Sequence, residues 1–367
     1  MTSSSIYIHP KFKLNGLPYR FDDLYELALD FEKSQALHEI EIGKFLIEWL
    51  NNNNYISVPT SGSTGAPKKI NILKAHTINS AIATGTFFEL PCETRALLCL
   101  PASYIAGKMM LVRAIILGWD LYIKAPEKDA ITQYDRDYDF VAMVPYQVHY
   151  SLKSLNKIKK LIIGGGAISV DLNDQLQHVD TEVFATYGMT ETITHIAVRR
   201  INGLAKSYYY NALPNVKFSL DKRDCLVIEA SEVSDNKVVT NDLVKIISPS
   251  SFQYFGRIDN VVNSGGVKLF PEQIEAKLAK FIDVQFIIAS EKNQTLGEQL
   301  ILILEEDSSK PILDIKTAFS ILSNYERPKK IYIISKFPFT ETGKIKRSEL
   351  LKNLDQATEI IQQKKHK

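Results

Sequence analysis

Residues 60–69 have the composition of a phosphate-binding loop. The run reads Thr-Ser-Gly-Ser-Thr-Gly-Ala-Pro-Lys-Lys and lies between two short apolar segments, 55–59 and 70–73. Hydroxyl groups, backbone N–H groups freed by glycine, and lysine ammonium groups all donate to anions, so together they can converge on one phosphate. The run is not a Walker A loop, because Pro67 stands where that motif requires its second glycine. A polar hairpin turn is the simpler alternative.

Further short motifs follow this run in a definite order. They are Gly164-Gly-Gly-Ala-Ile168, Tyr187-Gly-Met-Thr-Glu-Thr192, Thr240-Asn-Asp242, Phe255-Gly-Arg-Ile-Asp259, Asn263-Ser-Gly-Gly-Val-Lys268 and Pro338-Phe-Thr-Glu-Thr-Gly-Lys-Ile-Lys-Arg347. The set resembles the acyl- and aryl-CoA ligases of the adenylate-forming superfamily, and the resemblance covers residues 55–350. The order of the motifs weakens the simple-turn alternative for the first run.

The resemblance implies an ATP and Mg²⁺ site. The implied phosphate-binding residues are Thr60, Ser61, Gly62, Ser63, Thr64, Gly65 and Lys68. Thr190 would contact the α-phosphate, and Glu191 would bind the Mg²⁺ that bridges the phosphates, as suits a hard oxygen ligand. Outside its motif, Glu191 would be interpreted as an ordinary surface carboxylate.

The purine and the ribose require different groups. Residues without bulky side chains let the backbone lie against a flat purine, and this wall is formed by Gly164, Gly165, Gly166 and Ala167. Tyr187, followed by Gly188, would cover the opposite face. Asp242 suits the ribose hydroxyls, and Arg257 can reach the same sugar. Asn241 stands where the family commonly has glycine, and we expect it to tolerate the positive φ that glycine would supply.

The resemblance implies that two later motifs each serve one half-reaction of such ligases. Lys344 would place an ammonium group between the attacking carboxylate and the α-phosphate, where negative charge accumulates. Gly265, Gly266 and Lys268 would line the pantetheine tunnel of coenzyme A, which brings its own thiol. An ordinary Gly-Gly turn is the alternative for that segment.

The acid substrate is the harder question. Residues 101–107 match the family's Pro-x-x-His-x-x-Gly motif, with Tyr104 in place of the histidine that gates the acyl pocket. Arg113 lies on an otherwise apolar helix and either pairs internally, reaches outward or holds a second carboxylate of the substrate. The o-succinylbenzoate:CoA ligases of menaquinone biosynthesis carry an arginine on a similar helix. The implied substrate residues are Tyr104, Arg113, Gly188 and Thr192, and the implied acid is o-succinylbenzoate.

Hydrophobic periodicity predicts an α/β fold. We expect strands over 96–100, 121–125, 140–144, 160–163 and 182–185, and helices over 105–117, 146–155 and 170–178. This alternation predicts a mostly parallel sheet covered by helices, with the motifs at the carboxyl ends of the strands. Residues 208–247 predict a small β-rich subdomain.

Two domains are predicted: a large N-terminal adenylation domain over 1–256 and a small mobile α+β lid over 257–367. Asp259 is the expected hinge, and a helix is expected over 271–279. The N-terminal domain is shorter than in full-length relatives, because the phosphate run begins at residue 60. Residues 21–50 would supply a reduced helical cover, through apolar residues at helical spacing: Leu24, Leu27, Phe31, Phe45, Leu46 and Trp49.

The charge composition argues against nucleic acid and membranes as binding partners. Lys+Arg 44 against Asp+Glu 42 gives no bulk attraction to nucleic acid or to an anionic membrane. No apolar run has the length of a membrane span, and the N-terminus does not have the pattern of a signal peptide. The three cysteines, Cys92, Cys99 and Cys225, show no metal-binding or disulfide spacing and predict core residues of a cytoplasmic protein.

Three alternatives are left open by the sequence. The enzyme could activate another aryl or fatty acid, or it could load a carrier protein instead of coenzyme A. A non-catalytic nucleotide-binding relative is the third, against which the retention of Glu191 and Lys344 argues. A homodimer is a further expectation from the resemblance.

Overall fold

The computed structural model describes residues 7–59, 69–133, 135–306, 315–339, 345–354 and 357–360. Its helices are α1 (Phe21–Glu32), α2 (Leu37–Leu50), α3 (Lys74–Phe87), α4 (Ile105–Leu117), α5 (Pro145–Ser151), α6 (Val170–Gln175), α7 (Pro271–Leu278), α8 (Ile315–Ser320) and α9 (Arg347–Lys352). Across these ranges no helix combines the length and the apolar character that crossing a membrane requires.

The strands up to residue 257 are β1 (Lys13–Leu14), β2 (Leu17–Pro18), β3 (Tyr55–Pro59), β4 (Lys69–Leu73), β5 (Arg95–Leu98), β6 (Asp120–Ile123), β7 (Tyr138–Met143), β8 (Ile158–Ile163), β9 (Glu182–Gly188), β10 (His195–Arg200), β11 (Tyr210–Ala212), β12 (Lys217–Leu220), β13 (Cys225–Glu229), β14 (Val238–Ser248) and β15 (Ser251–Arg257). The later strands are β16 (Val262–Ser264), β17 (Val267–Leu269), β18 (Phe286–Asn293), β19 (Gly297–Glu305), β20 (Lys330–Ile334) and β21 (Thr358–Ile360).

The predicted parallel sheet is confirmed. Strands β6, β5, β7, β8 and β9 lie side by side in that order and pair in parallel. Successive side chains of a strand point to opposite faces, so Phe140 and Ala142 join the core that includes α4, whereas Val141 and Met143 join the core that includes α6. Helices therefore cover both faces, as parallel sheets require.

Helix α4 is buried on nearly all sides. Every residue from 107 to 116 is buried, and a helix that is apolar all round packs inside a protein rather than on its surface. The helix ends where Gly118 adopts a left-handed φ of 71°, a conformation that glycine reaches without a steric cost. Arg113 is thus carried into the interior by the helix itself.

The β-rich segment differs from the prediction. Strands β11 to β15 do not form a separate sheet, because β11 pairs with both β10 and β15. The described strands from β1 to β15, apart from β3 and β4, therefore make one 13-stranded sheet. This antiparallel extension places β14 and β15 on the same sheet as β9, which brings the later nucleotide motifs toward the earlier ones.

The predicted helical cover over residues 21–50 is confirmed as the pair α1 and α2. The helices pack closely at Gly43, where an added Cβ would lie 2.7 Å from the carbonyl oxygen of Ala28. Strand β1 pairs in parallel with β6 at the edge of the large sheet. Strands β3 and β4 form a separate two-stranded sheet whose ends flank residues 60–68.

Strands β16 to β21 form a second sheet, which begins at Val262 after the 3₁₀ turn Ile258–Asn260. Apolar cores lie on both of its faces, with α7 and α8 packed on one of them. The predicted helix over 271–279 is confirmed as α7. The domain boundary at residues 256 and 257 and the hinge at Asp259 stay predictions.

Two helices are shorter than predicted. Residues 146–155 and 170–178 begin as α5 and α6 but continue as the 3₁₀ turns Leu152–Lys157 and Leu176–His178.

Cys99 and Cys225 are buried as predicted, whereas the prediction for Cys92 is wrong because its side chain is exposed. Cys92 follows Pro91 in the turn between α3 and β5, where little apolar surface is buried.

Candidate active site

The motif segments converge at the carboxyl ends of neighbouring parallel strands. Residues 101–107 follow β5, residues 164–168 follow β8, and residues 187–192 begin at the end of β9 and continue into the turn after it. Gln147, which follows β7, holds the segments after β5 and β6, because its Nε2 donates to the carbonyl oxygens of Cys99 at 2.7 Å and Glu127 at 3.1 Å. Ligands of open α/β sheets bind at such an edge.

The glycine segment after β8 lies close to the neighbouring strand. An added Cβ at Gly164 would lie 2.6 Å from Oγ1 of Thr186, whose hydroxyl donates to the carbonyl oxygen of Ile163 at 3.1 Å. Gly165 has a φ of 78°, which glycine adopts more readily than any other residue. Gly164, Gly165, Gly166 and Ala167 therefore present backbone without bulky side chains, as a purine wall requires.

Tyr187 and Asp242 are brought together. The Tyr187 hydroxyl donates to Oδ2 of Asp242, and its ring lies 5.0 Å from that of Phe252. Burial first, and the Asp242 charge second, raise the pKa of Tyr187. Burial also raises the pKa of Asp242, against the hydrogen bond from Tyr187 and the charge of Arg257. The Asp242 carboxylate is thus largely removed from water, and a buried carboxylate requires hydrogen-bond donors. The hydroxyl groups of a ribose are the donors that the sequence predicts for it.

Arg257 lies opposite Asp242 in the register of β14 and β15. Its Nη2 donates to Oδ2 of Asp259 at 2.7 Å, so the predicted sugar-binding arginine and the predicted hinge residue are ion-paired. This pair is about half exposed on both sides and contributes little to stability by itself. Asn260, the next residue, donates to Oε1 of Glu272 on α7 at 2.5 Å.

The expectation for Asn241 is wrong. Asn241 lies inside β14 and has no positive φ. Its side chain has another use: Nδ2 lies 3.3 Å from Oδ2 of Asp259, and Oδ1 accepts from Arg223 at 3.0 Å. Asparagine at this position therefore connects the strand that carries Asp242 to the expected hinge.

Residues 188–195 make a tight turn after β9. Gly188 is required sterically, because an added Cβ would lie 2.2 Å from the carbonyl oxygen of Thr194. The hydroxyl of Thr192 is buried and bonds to the backbone of residues 189 and 194. Thr192 thus holds the turn, whereas Glu191 projects an exposed carboxylate from it.

The turn contains a backbone conformation that is rare for its residue type. Ile193 has φ 67° and ψ −61°, and the N–H of Thr194 donates to the carbonyl oxygen of Thr192 at 2.7 Å. This geometry is a γ-turn with positive φ, which is strained for a β-branched residue. Such a conformation costs about 1–3 kcal/mol and persists only where its surroundings hold it, which here is a buried site.

The segment 101–107 leads into α4. Gly107 is required because an added Cβ would lie 2.2 Å from the carbonyl oxygen of Pro101. Tyr104 is half-buried at the start of the helix, and its backbone N–H donates to the same carbonyl at 3.3 Å. The spacing of proline, tyrosine and glycine in this motif thus encodes a folded-back loop ahead of Arg113.

Arg113 is 1% exposed and does not reach outward. Its donors meet neutral acceptors at long distances: Oγ1 of Thr84 at 3.3 Å, Oγ1 of Thr194 at 3.5 Å and Sδ of Met110 at 3.6 Å. In the described part of the chain no carboxylate forms an ion pair with it. Burial lowers the pKa of Arg113 to about 9, so the group keeps its charge at neutral pH. The alternative that Arg113 reaches outward is thereby removed, and its pairing within the described residues is limited to neutral groups.

His195 completes a ring of hydrogen-bonding groups with Arg113. Nε2 of His195 lies 3.4 Å from Oγ1 of Thr84, and Nδ1 lies 3.4 Å from Oγ1 of Thr194. The Thr84 hydroxyl already donates to the carbonyl oxygen of Ser80, so the imidazole must donate at Nε2 and accept at Nδ1. Burial first, and the Arg113 charge second, lower the pKa of His195 well below 6.5.

A narrow cavity ends at this ring. Four of its lining residues are polar, namely Ser80, His195, Asn215 and Glu232, and the others are apolar: Ala83, Ile196, Leu213, Pro214, Val216, Ala230 and Val233. The space of about 10 Å³ holds one water at most. An acid with an apolar body would have to displace these side chains to reach Arg113.

The glycine pair at 265 and 266 makes the hairpin turn between β16 and β17. Both residues have positive φ, 58° and 82°, as a two-residue hairpin turn of this hand requires. Space is not the constraint, because an added Cβ at Gly266 would meet nothing within 4 Å. Turn geometry alone therefore explains the two glycines, and the role of Gly265, Gly266 and Lys268 in binding coenzyme A stays a prediction.

The described residues on either side of 340–344 make several contacts. Phe339 bridges to Ile345, and the N–H of Lys346 donates to the carbonyl oxygen of Pro338 at 2.9 Å. Arg347 donates to both carboxylate oxygens of Glu275, at 2.6 and 2.7 Å, and to the carbonyl oxygen of Ile288 at 2.9 Å. Burial raises the pKa of Glu275, against the charge of Arg347.

Some predicted residues lie outside the described ranges. They are Thr60, Ser61, Gly62, Ser63, Thr64, Gly65, Lys68 and Lys344. The strands that flank the phosphate run, β3 and β4, are described and pair from Tyr55 with Leu73 to Pro59 with Lys69. The roles of the predicted site residues stay predictions.

Comparison with known proteins identifies the family. The sequence profile of the family described as AMP-binding enzyme matches residues 25–230, which is more than half of the chain. The chain belongs to this family. The predicted resemblance to adenylate-forming enzymes and the prediction that the protein is an enzyme are therefore confirmed.

Individual relatives are distant in sequence but share most of the chain. A 2-succinylbenzoate–CoA ligase of Oceanobacillus iheyensis is 24% identical over 79% of this chain and 68% of its own length. A solved structure from Dyadobacter fermentans, an acyl-CoA synthetase (AMP-forming)/AMP-acid ligase II-like protein, is 35% identical with a TM-score of 0.61 and covers 90% of this chain and 98% of its own.

The fold also matches a better-aligned structure. The o-succinylbenzoate CoA synthetase of Bacillus subtilis, in complex with the acyl-adenylate intermediate OSB-AMP, gives a TM-score of 0.69 at 18% identity over 80% of this chain and 68% of its own. This confirms the predicted fold class, an α/β fold of large sheets covered by helices.

The sequence interpretation missed the groups around Arg113. Thr84 and Thr194 were not singled out, because isolated threonines in apolar segments are common. His195 follows the Tyr187–Thr192 motif directly, and its place at the start of β10 was the available signal.

Proposed function

We propose that the protein is an ATP-dependent, AMP-forming acid:CoA ligase. In the first half-reaction the carboxylate of the acid attacks the α-phosphorus of ATP and releases pyrophosphate, which gives an acyl adenylate. In the second, the thiol of coenzyme A displaces AMP and forms the thioester. Membership of the AMP-binding enzymes and the named relatives support this proposal.

The described residues fit the nucleotide. Asp242 would accept hydrogen bonds from the ribose hydroxyls, and the glycine segment 164–166 would lie against the purine. Mg²⁺ would bind Glu191 together with phosphate oxygens and waters, since it is commonly held by one or two carboxylates only. This agrees with the finding that no cluster of three metal-binding side chains occurs among the described residues.

The acid is proposed to be o-succinylbenzoate, an aromatic acid with one carboxylate to activate and a second to anchor. Arg113 carries this proposal: a buried guanidinium without a carboxylate partner in the described ranges has unmet capacity for an anion. The names of the relatives support the same acid.

The test is coenzyme-A-dependent AMP production from ATP and o-succinylbenzoate, with wild type and Arg113→Ala. Loss of a charge-assisted contact should lower kcat/KM for the diacid about 10- to 100-fold, while benzoate-like monoacids are used as before. Unchanged use of the diacid would remove Arg113 as the anchor. A pyrophosphate-release screen over other acids, and holo-carrier protein in place of coenzyme A, separate the alternative substrates and acceptors.

The second unit is proposed to move between the half-reactions. Residues 257–367 would turn about Asp259, presenting Lys344 for adenylation and Gly265, Gly266 and Lys268 for thioester formation. Lys344→Ala should abolish adenylate formation yet leave thioester formation from supplied acyl adenylate. Equal loss of both reactions would contradict the role of Lys344. A homodimer and a cytoplasmic location belong to the same proposal.

A further inference from the structure

Helix α2 bonds to both of the segments that lead into predicted substrate sites. Glu41 and Glu48 are seven residues apart, so they lie on one face of the helix. Oε2 of Glu41 lies 3.4 Å from the backbone N of Ser103, in the loop that carries Tyr104. Glu48 reaches both β3, the strand before the phosphate run, and α4, the helix that carries Arg113.

The Glu48 carboxylate divides its oxygens between these elements. Oε1 accepts from the backbone N–H of Ser57 on β3 at 2.6 Å, and Oε2 accepts from Nζ of Lys108 on α4 at 3.3 Å. Lys108 is 7% exposed, and its ammonium group lies 4.8 Å from the centre of the Phe45 ring on α2. A buried ammonium group requires such a partner, so the position of α4 depends on Glu48.

A second buried lysine attaches the other side of the hairpin. Lys74 begins α3 directly after β4, and its Nζ donates to the carbonyl oxygen of Asn51 at 2.8 Å, at the end of α2. The ammonium group also lies 5.8 Å from the Trp49 ring. A cation at a helix C-terminus is favourable. The β3–β4 hairpin is thus held to α2 at both of its strands.

We propose that Glu48 is a positioning residue that fixes the β3–β4 hairpin relative to α4, so that the grip on ATP phosphates and the acid pocket depend on each other through α2. The inference rests on the proposed function, because it concerns the two substrates of that reaction. Glu48 is not among the predicted substrate-binding residues, and its described partners are Ser57 and Lys108.

The test compares Glu48→Gln, Lys108→Met and the double variant with wild type, in the full chain. Glu39→Gln is the matched control, because Glu39 lies on the same helix and bonds locally to Ser34. The measurements are KM for ATP, KM for the acid, kcat from pyrophosphate release, direct ATP binding by calorimetry, and the unfolding midpoint. Glu48→Gln should raise both KM values about tenfold and change kcat by less than about twofold.

The double variant separates positioning from stability. Removing both charges should restore the unfolding midpoint, because no buried charge is left without a partner, while both KM values stay about tenfold high. KM values that return with the midpoint, or that never change in Glu48→Gln, would overturn the inference. If the wild-type protein releases no pyrophosphate with any acid, the proposed function fails. The role of Glu48 is then tested by calorimetry alone, through the ATP affinity of Glu48→Gln compared with wild type.

Discussion

Replacing Arg113 by methionine should stabilise the free protein while it removes the preference for a diacid. The guanidinium group is fully buried among neutral acceptors, and its hydrogen bonds are long. A buried charge in that position costs free energy that only a bound carboxylate would offset. Methionine has a similar length without the charge, and it would pack beside Met110.

The magnitude follows from the pKa. The drop of the Arg113 pKa from 12.5 to about 9 corresponds to roughly 5 kcal/mol of lost solvation, at about 1.4 kcal/mol per pKa unit. Its three hydrogen bonds return about 1 kcal/mol each. Arg113→Met should therefore raise the free energy of unfolding by about 2 kcal/mol, and the unfolding temperature by about 3 °C.

Urea unfolding followed by the fluorescence of the buried Trp49 and Trp119 measures this change. Lys108→Met is the matched control: it removes another buried cation of α4, but one that has a carboxylate partner in Glu48. That variant should lose about 1 kcal/mol, because Glu48 loses its cation while it keeps its bond from Ser57 and part of its side chain stays exposed. If Arg113→Met destabilises the protein as much as Lys108→Met, the guanidinium is compensated within the chain and the anchor argument fails.

Three further outcomes are expected. The unfolded His195 takes up a proton near pH 6.5 and the folded one only well below it, so stability should fall below that pH by up to about 1.4 kcal/mol per unit; His195→Gln should flatten this slope in urea titrations. Because burial raises the pKa of Asp242, its ionisation lowers stability as pH rises above 3.8, and Asp242→Asn should gain about 1 kcal/mol at neutral pH while ATP affinity measured by calorimetry is lost. Arg347→Lys cannot keep both bonds to Glu275 and should slow single-turnover adenylate formation about tenfold, and an unchanged rate would show that this pair does not position the loop.

Local pattern was sufficient for the parallel sheet and its helices. The apolar strand runs and the helical period of residues 105–117 follow from burial of one strand face or of a whole helix, which a single segment reveals. The convergence of the motifs was also predictable, since the carboxyl ends of parallel strands meet at one edge. Continuity of β11 with β10 was not, because pairing between antiparallel strands depends on partners distant in sequence.

The ring around Arg113 could not be predicted for the same reason. Thr84, Arg113 and His195 come from α3, α4 and β10, and each resembles an ordinary core residue within its own segment. Asn241 shows a second limit of prediction from sequence, because its side chain rather than its backbone explains the residue. Its identity was interpreted through a backbone conformation, whereas its side chain bonds to Asp259 instead. Side-chain partnerships of this kind require the fold to be known.

The strained turn at Ile193 has a consequence for redesign of the substrate range. It separates the exposed Glu191 from the half-buried Thr194 and the buried His195 by only a few residues, so mutagenesis near His195 risks reorienting Glu191, the proposed metal ligand, as well. Libraries that broaden the accepted acids should therefore vary α3 and α4 and leave residues 190–195 intact. The substitution Ile193→Gly would relieve the backbone strain, and it would also make the turn that carries the Glu191 carboxylate more flexible.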